Sequence, residues 1–176
     1  VCGATGAVGQ EFLKVLHDVD FPASEVRALA SARSAGKEVP FEGCGLQKPG
    51  NLVVQEMTPE SFQGVDIALF SAGASVSKQL REAVVAAGAV MIDNSSAFRM
   101  DEDVPLVVPE VNPEDVAWHN GVIANPNCST IEMVVALKPL AEIAPIKRVV
   151  VSTYQAASGA GMPAMLEVQE QTRQYL

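Results

Sequence analysis

Apolar positions along this chain recur in two rhythms, short strand-like runs alternating with longer helical stretches. Val8, Phe12, Val15, Leu16 and Val19 fall on one face of a helix that opens on Gly3-Ala4-Thr5-Gly6-Ala7-Val8-Gly9. Residues 26–30 read as a short strand, followed by the small-residue loop Ser31-Ala32-Arg33-Ser34-Ala35-Gly36-Lys37. Residues 52–55 and 65–70 read as further strands, the second apolar throughout except for Asp66. The loop Ser71-Ala72-Gly73-Ala74-Ser75 leads into a helix over 76–87 that Gly88 stops, and 90–93 is again a strand.

The second half is looser. A polar loop over 94–105 precedes a short strand at 106–108 and at most a short helix at 113–119. Residues 122–124 form a strand that runs into Asn125-Pro126-Asn127-Cys128, and a helix follows to about residue 141. The longest strand expected is 146–153, before the loop Ser158-Gly159-Ala160-Gly161 and a final helix. Apolar strands alternating with amphipathic helices predict an α/β fold, a mostly parallel Rossmann-type sheet with helices on both faces. The first domain is expected to end near Cys128. A dinucleotide fold needs a strand directly before its glycines, and the last residues read as helix, so both ends look cut and the chain reads as a fragment.

Composition narrows the classes. Of 176 residues 48% are hydrophobic, enough for a sizeable core, and no apolar run is long enough to span a bilayer. No signal peptide opens the chain, so a soluble cytoplasmic protein is expected, with no membrane partner. The net charge of −9 argues against general nucleic-acid binding, although a few placed arginines could still hold an anionic substrate. Three widely spaced cysteines without a Cys-x-x-Cys pair argue against a disulfide framework and against a metal site.

Gly3-x-x-Gly6-x-x-Gly9 is a variant of the Rossmann fingerprint, whose glycines let the backbone turn tightly and approach a pyrophosphate at the helix start. The alternative is a tight strand–helix turn without a ligand. An NAD site would carry an acid about 20 residues further on, at the end of the second strand. Here that end reads Ala30-Ser31-Ala32-Arg33-Ser34, so Arg33 is a candidate clamp for a 2′-phosphate, with Ser31 and Ser34 as donors. NADP is preferred. Arg33 and Lys37 could instead be solvated loop charges.

Cys128 offers nucleophilic chemistry. Ser129-x-x-Glu132 matches a capping box, and Ile131, Met133, Val134, Val135 and Leu137 continue the helix. Cys128 is then expected at the helix's N-terminal edge, where unpaired N–H groups favour a thiolate and could receive an oxyanion. Most free cysteines are buried small hydrophobes, and Cys2 and Cys44 are read that way.

Asn-Pro-Asn-Cys128-Ser-Thr resembles the active-site segment of aspartate-semialdehyde dehydrogenases. So do the opening Gly-Ala-Thr-Gly-Ala-Val-Gly, the loop from Ser31 to Lys37, Phe98-Arg99 with the Val-Pro-Glu-Val-Asn that follows, and Val151-Ser-Thr-Tyr-Gln-Ala-Ala-Ser-Gly-Ala-Gly161. Related acyl-phosphate reductases of arginine synthesis, which act on N-acetyl-glutamyl phosphate, share the plan, but their cysteine segment reads differently. The resemblance implies an NADP-binding Rossmann domain over 1–127 and the start of an α+β catalytic and dimerisation domain over 128–176. It implies that Cys128 attacks β-aspartyl phosphate and forms a thioester, which NADPH reduces to aspartate semialdehyde in the aspartate pathway of lysine, threonine and methionine synthesis. Gln155 would orient the substrate, and Arg99 and Asn127 would bind the phosphate. Gly3, Thr5, Gly6, Ala7, Val8, Ser31, Arg33, Ser34, Ser71, Ala72 and Gly73 would line the cofactor groove, with Ser158 and Gly159 nearest the nicotinamide. A homodimer or homotetramer is implied.

Read from the residues alone, Gln155 could merely cap a loop, and Arg99 could pair with Asp101 or Glu102 at the surface. The family's histidine base is expected outside this chain, since His17 and His119 read as ordinary surface histidines. The chain alone is therefore expected to be inactive. The competing reading from another class is a non-catalytic dinucleotide-binding module.

Overall fold

The computed structural model describes residues 1–176, which divide into two compact units, Val1–Asn127 and Cys128–Leu176. In the first unit the elements follow as α1 (Ala7–Asp18), β1 (Leu29–Ala30), β2 (Glu38–Phe41), β3 (Gly50–Val53), β4 (Gln55–Glu56), β5 (Ile67–Phe70), α2 (Ala74–Ala86), β6 (Val90–Asp93) and β7 (Val122–Ala124). The second unit contributes α3 (Cys128–Ile143) and α4 (Met162–Tyr175).

Cys2 bridges in parallel to Leu29 on one side and Phe70 on the other, so it stands as a one-residue central strand. With β1 paired to β4, and β5, β6 and β7 paired in turn, the parallel sheet runs β4, β1, Cys2, β5, β6, β7. This is the strand order of a dinucleotide-binding sheet, which reverses direction between its first and fourth strands, here between Cys2 and β5. Right-handed crossovers leave Cys2 toward β1 and β5 toward β6 in opposite directions, which places α1 and α2 on opposite faces.

Two apolar clusters fill the faces. One joins Phe62, Phe70, Leu80, Val84, Met91 and Val122, with the rings of Phe62 and Phe70 stacked at 5.8 Å. The other joins Leu13, Ala30, Val39, Phe41 and Val54. Burying each large side chain contributes roughly 1.5–3 kcal/mol.

Several expected elements change. The strand foreseen over 26–30 pairs only at Leu29–Ala30, and the one foreseen over 52–55 divides between β3 and β4. β3 belongs to an antiparallel hairpin with β2, a strand not foreseen. Only Leu106 of 106–108 bridges the sheet, to Ala124. Residues 146–153 form no strand. A strand requires a neighbour to take its backbone hydrogen bonds, and these residues find none, leaving Val150 81% and Val151 57% exposed. The capping box also shifts: α3 begins at Cys128, which places Ser129 inside the first turn and Asn127 at the flanking position. No helix is long and apolar enough to cross a membrane.

Candidate functional site

In an open parallel sheet, ligands bind outside the carboxyl ends of the strands, at the point where strand order reverses. Gly3 lies there, turning the chain off the central strand with φ of +88°. A Cβ on Gly3 would stand 2.5 Å from the Ser71 carbonyl oxygen, so Cys2 and β5 approach this closely only with glycine at this position. A Cβ on Gly9 would collide with the Gly3 carbonyl, which fixes how tightly α1 seats under the turn. Gly6 caps α1 in extended conformation with no side-chain cap, and no acid occupies the helix's first turn. The leading N–H groups of Ala7 and Val8 therefore face outward at the positive end of the helix dipole. This cradle fits a dinucleotide's phosphates.

Ser31 and Arg33 follow the carboxyl end of β1 in a short 3₁₀ turn, both exposed, and Arg33 carries no ion pair. Ser34 is buried at the end of the turn, 3.5 Å from the Thr5 hydroxyl, which ties this loop to the glycine turn. Ser71, Ala72 and Gly73 leave β5 and begin α2, with Gly73 at φ of +92°. The expected groove residues of the first unit thus follow the carboxyl ends of its central strands, with no acid at the end of β1.

Arg99 is held differently from the surface pairing considered for it. Its Nε donates to the Asn125 carbonyl at 2.9 Å and its Nη2 to the Asn94 carbonyl at 3.1 Å. Asp101 is taken instead by Arg81, which also pairs with Asp103. Arg99 is left as a half-buried guanidinium with no carboxylate partner, aimed by backbone oxygens at the ends of β6 and β7. Such a fork suits a phosphate or carboxylate. Asp93, Ser77 and Ser95, which support this region, were not foreseen; the available signal was a carboxylate closing an otherwise apolar strand.

In the second unit, Cys128 is exposed as the first residue of α3, whereas Cys2 and Cys44 are buried. A cavity of about 730 Å³ is lined by Cys128, Ser129, Glu132 and Met133 from α3 and by residues that include Tyr154, Gln155, Ser158 and Gly159. The Gln155 amide donates to the Thr153 hydroxyl at 3.2 Å. A thiol, a carboxamide and a glycine loop around one open space can hold a carbonyl compound against a nucleophile. A second cavity, about 520 Å³, lies at the amino ends of the strands around Val1, Phe21 and Val65, and none of the foreseen site residues line it.

Residues 1–119 match the family model described as the NAD binding domain of semialdehyde dehydrogenase, and residues 137–176 match that family's dimerisation domain. The chain belongs to the semialdehyde dehydrogenase family. It is 56% identical over its whole length to the aspartate-semialdehyde dehydrogenase of Bacillus subtilis and covers 49% of that protein. The crystal structure of aspartate semialdehyde dehydrogenase II of Vibrio cholerae complexed with ASA matches 98% of the chain and 50% of its own, at 48% identity and a TM-score of 0.89. The Candida albicans enzyme with NADP matches 81% of the chain and 46% of its own, at 34% identity and a TM-score of 0.64. The chain spans about half the length of the curated relatives it matches.

For this semialdehyde dehydrogenase chain the two histidines are engaged locally. Nδ1 of His17 meets the Gly43 carbonyl at 2.8 Å while Nε2 faces Glu42 at 3.3 Å, and Nδ1 of His119 accepts the Gly121 N–H at 3.0 Å. Both belong to the first unit, and the second unit has no histidine. Burial pushes the Cys2 thiol up to about 12 and raises that of Cys44, so neither of these buried thiols is a ready nucleophile at neutral pH.

Proposed function

We propose that the complete protein carrying this chain is an NADP-dependent aspartate-semialdehyde dehydrogenase. Residues 1–127 would form its cofactor-binding domain and 128–176 the start of a catalytic and dimerisation domain, in a cytoplasmic homodimer or homotetramer. The observation that carries this reading is Cys128, an exposed thiol at the start of a helix, sharing a cavity with Gln155 while the other cysteines are buried.

The Cys128 sulfur attacks the acyl carbon of β-aspartyl phosphate, the bond from carbon to the phosphate oxygen breaks, and a thioester remains. The first turn of α3 offers backbone N–H groups to the oxyanion of that addition, and Gln155 orients the carbonyl. Arg99 and Asn127 take the phosphate, with the unpaired charge of Arg99 favouring the dianion as it leaves. NADPH, when bound, would supply the hydride for the thioester carbon; the bond from carbon to the Cys128 sulfur then breaks, releasing aspartate semialdehyde and returning the thiolate. Gly3, Gly6, Ala7 and Val8 would hold the cofactor's pyrophosphate, Ser71, Ala72 and Gly73 would border it, and Ser158 and Gly159 would serve its nicotinamide end. Arg33, with Ser31, Ser34 and Thr5 around it, takes the 2′-phosphate and selects NADP over NAD.

The deciding experiment is Cys128→Ala in the full-length protein. Reduction of β-aspartyl phosphate is expected to vanish while the Kd for NADP, read by cofactor fluorescence, stays within about twofold, because uniform binding is left intact. Equal loss of binding and turnover would make Cys128 structural and sink the assignment.

A further inference from the structure

Asp93 has no part in the chemistry above, yet it ends β6 fully buried, where a carboxylate is tolerated only with partners. Its Oδ1 accepts the Ser77 hydroxyl from α2 at 2.6 Å, and its Oδ2 accepts the Ser95 hydroxyl at 2.6 Å. Ser95 Oγ in turn accepts the Ala97 N–H at 3.1 Å, so the carboxylate fixes the path of the turn that leads to Arg99. The Asp93 carbonyl accepts the Asn125 N–H at 2.8 Å, tying the end of β7 to the same residue. The Asn125 amide donates to Asn94 Oδ1 at 2.6 Å, and the two carbonyls that hold the Arg99 guanidinium belong to this same Asn94 and Asn125.

One helical turn beyond Ser77, Arg81 grips the far side of the turn. It pairs with Asp101 at 3.5 Å and Asp103 at 2.5 Å and lies over the Phe98 ring at 5.2 Å. The turn bearing Arg99 is therefore fastened to α2 on both flanks, and Asp93 is the fastening that also reaches β7.

We propose that Asp93, with Ser77 and Ser95, is a positioning device for Arg99 that sets how the enzyme holds phosphate without touching it. This rests on the assignment of Arg99 to the phosphate made above. A side chain that must meet a phosphate in one geometry gains little from its charge if its anchoring oxygens move, since small misplacements are costly in rate and binding. A buried network with every partner satisfied supplies that rigidity.

The test is a double-mutant cycle on the full-length enzyme, assayed in the aldehyde-oxidising direction, where inorganic phosphate is a substrate. Asp93→Asn keeps the shape but leaves one acceptor oxygen where there were two. It is expected to raise the KM for phosphate roughly tenfold, the scale of a lost hydrogen bond to a charged group, with the KM for the aldehyde nearly unchanged. Arg99→Lys raises the same KM, and in its background Asp93→Asn adds little. Full additivity would overturn the proposal, because Asp93 would then act without Arg99; so would an unchanged phosphate KM in Asp93→Asn. An unchanged phosphate KM in Arg99→Lys would instead remove the assignment of Arg99 on which the proposal stands. Should Asp93→Asn not fold, Ser95→Ala carries the same cycle, and Ser95→Thr, which keeps the hydroxyl, restores the wild-type value.

Discussion

A thiol reacts only as a thiolate and only where a reagent can reach it, and the three cysteines here differ on both counts. Cys2 is 1% exposed, and burial pushes its thiol up to about 12, so at pH 8 almost none of it is ionised. A raised value means that its reactivity grows only as the pH climbs toward that figure. Cys44 is buried and shifted in the same direction, also chiefly by burial. In the native full-length protein at pH 8, thiol labelling followed by peptide mass mapping is expected to modify Cys128 first, at least tenfold ahead of the other two, and a substrate analogue should slow it. Equal rates would mean that Cys128 has no privileged access. Arg33 allows a parallel test, because a bare guanidinium beyond β1 matters only to a cofactor that carries a 2′-phosphate. Arg33→Ala should weaken NADP by about tenfold or more and leave NAD within about twofold, since one charge-assisted contact is lost and no other. Titration of both nucleotides checks this, and equal weakening of the two would show that Arg33 merely supports the loop.

Glycines decide how closely elements approach, and they separate positions the fold requires from positions it tolerates. A Cβ on Gly9 would strike the backbone of Gly3, and backbone cannot rotate aside as a side chain can. Gly9→Ala is therefore expected to lift α1 off the turn, lowering the melting temperature by more than about 5 °C and weakening NADP together with it. Gly50→Ala meets open space and should leave both nearly unchanged, a contrast that calorimetry of the two variants would expose. The glycine turn was legible in the sequence because its spacing is itself the physical requirement. β6 and β7 were legible as well, since short apolar runs bounded by polar loops have few other uses. β2 was missed although Val39 and Phe41 alternate with exposed Glu38 and Pro40, because a proline at its centre weakens a strand pattern. The run 146–153 failed in the opposite way: its aliphatic residues report a need for burial, whereas a strand also needs a partner for its backbone, and no local pattern supplies one. Arg99 could be picked out in sequence, but its freedom from Asp101 could not, because Arg81 competes for that acid from another element.

The two units differ in what each can do alone. The first encloses two apolar clusters, whereas α3 and α4 of the second bury no residue at all, so the first carries most of the folding free energy. The glycine turn and Arg33 are built wholly on the first unit, and Cys128 with Gln155 wholly on the second. Acyl transfer through a cysteine also needs a group to move protons, and histidine is the side chain whose ordinary titration range suits that work. His17 is engaged by Gly43 and Glu42 and His119 by the Gly121 N–H, and residues 128–176 contain no histidine. The chain spans about half the length of the curated relatives it matches, and on the proposed function that group would come from the part of the enzyme those relatives have and this chain does not cover. A purified polypeptide of these 176 residues is therefore expected to bind NADP, because the glycine cradle and Arg33 are intact. It should nonetheless show no measurable turnover of β-aspartyl phosphate, with a loss of at least about 10³-fold against the full-length enzyme, the scale of missing acid–base and positioning groups together. Cofactor fluorescence and a steady-state assay on the same preparation check both halves of that statement. NADP binding shows that the fold is present when activity is not, and substantial turnover would mean that Cys128 works with residues already in this chain.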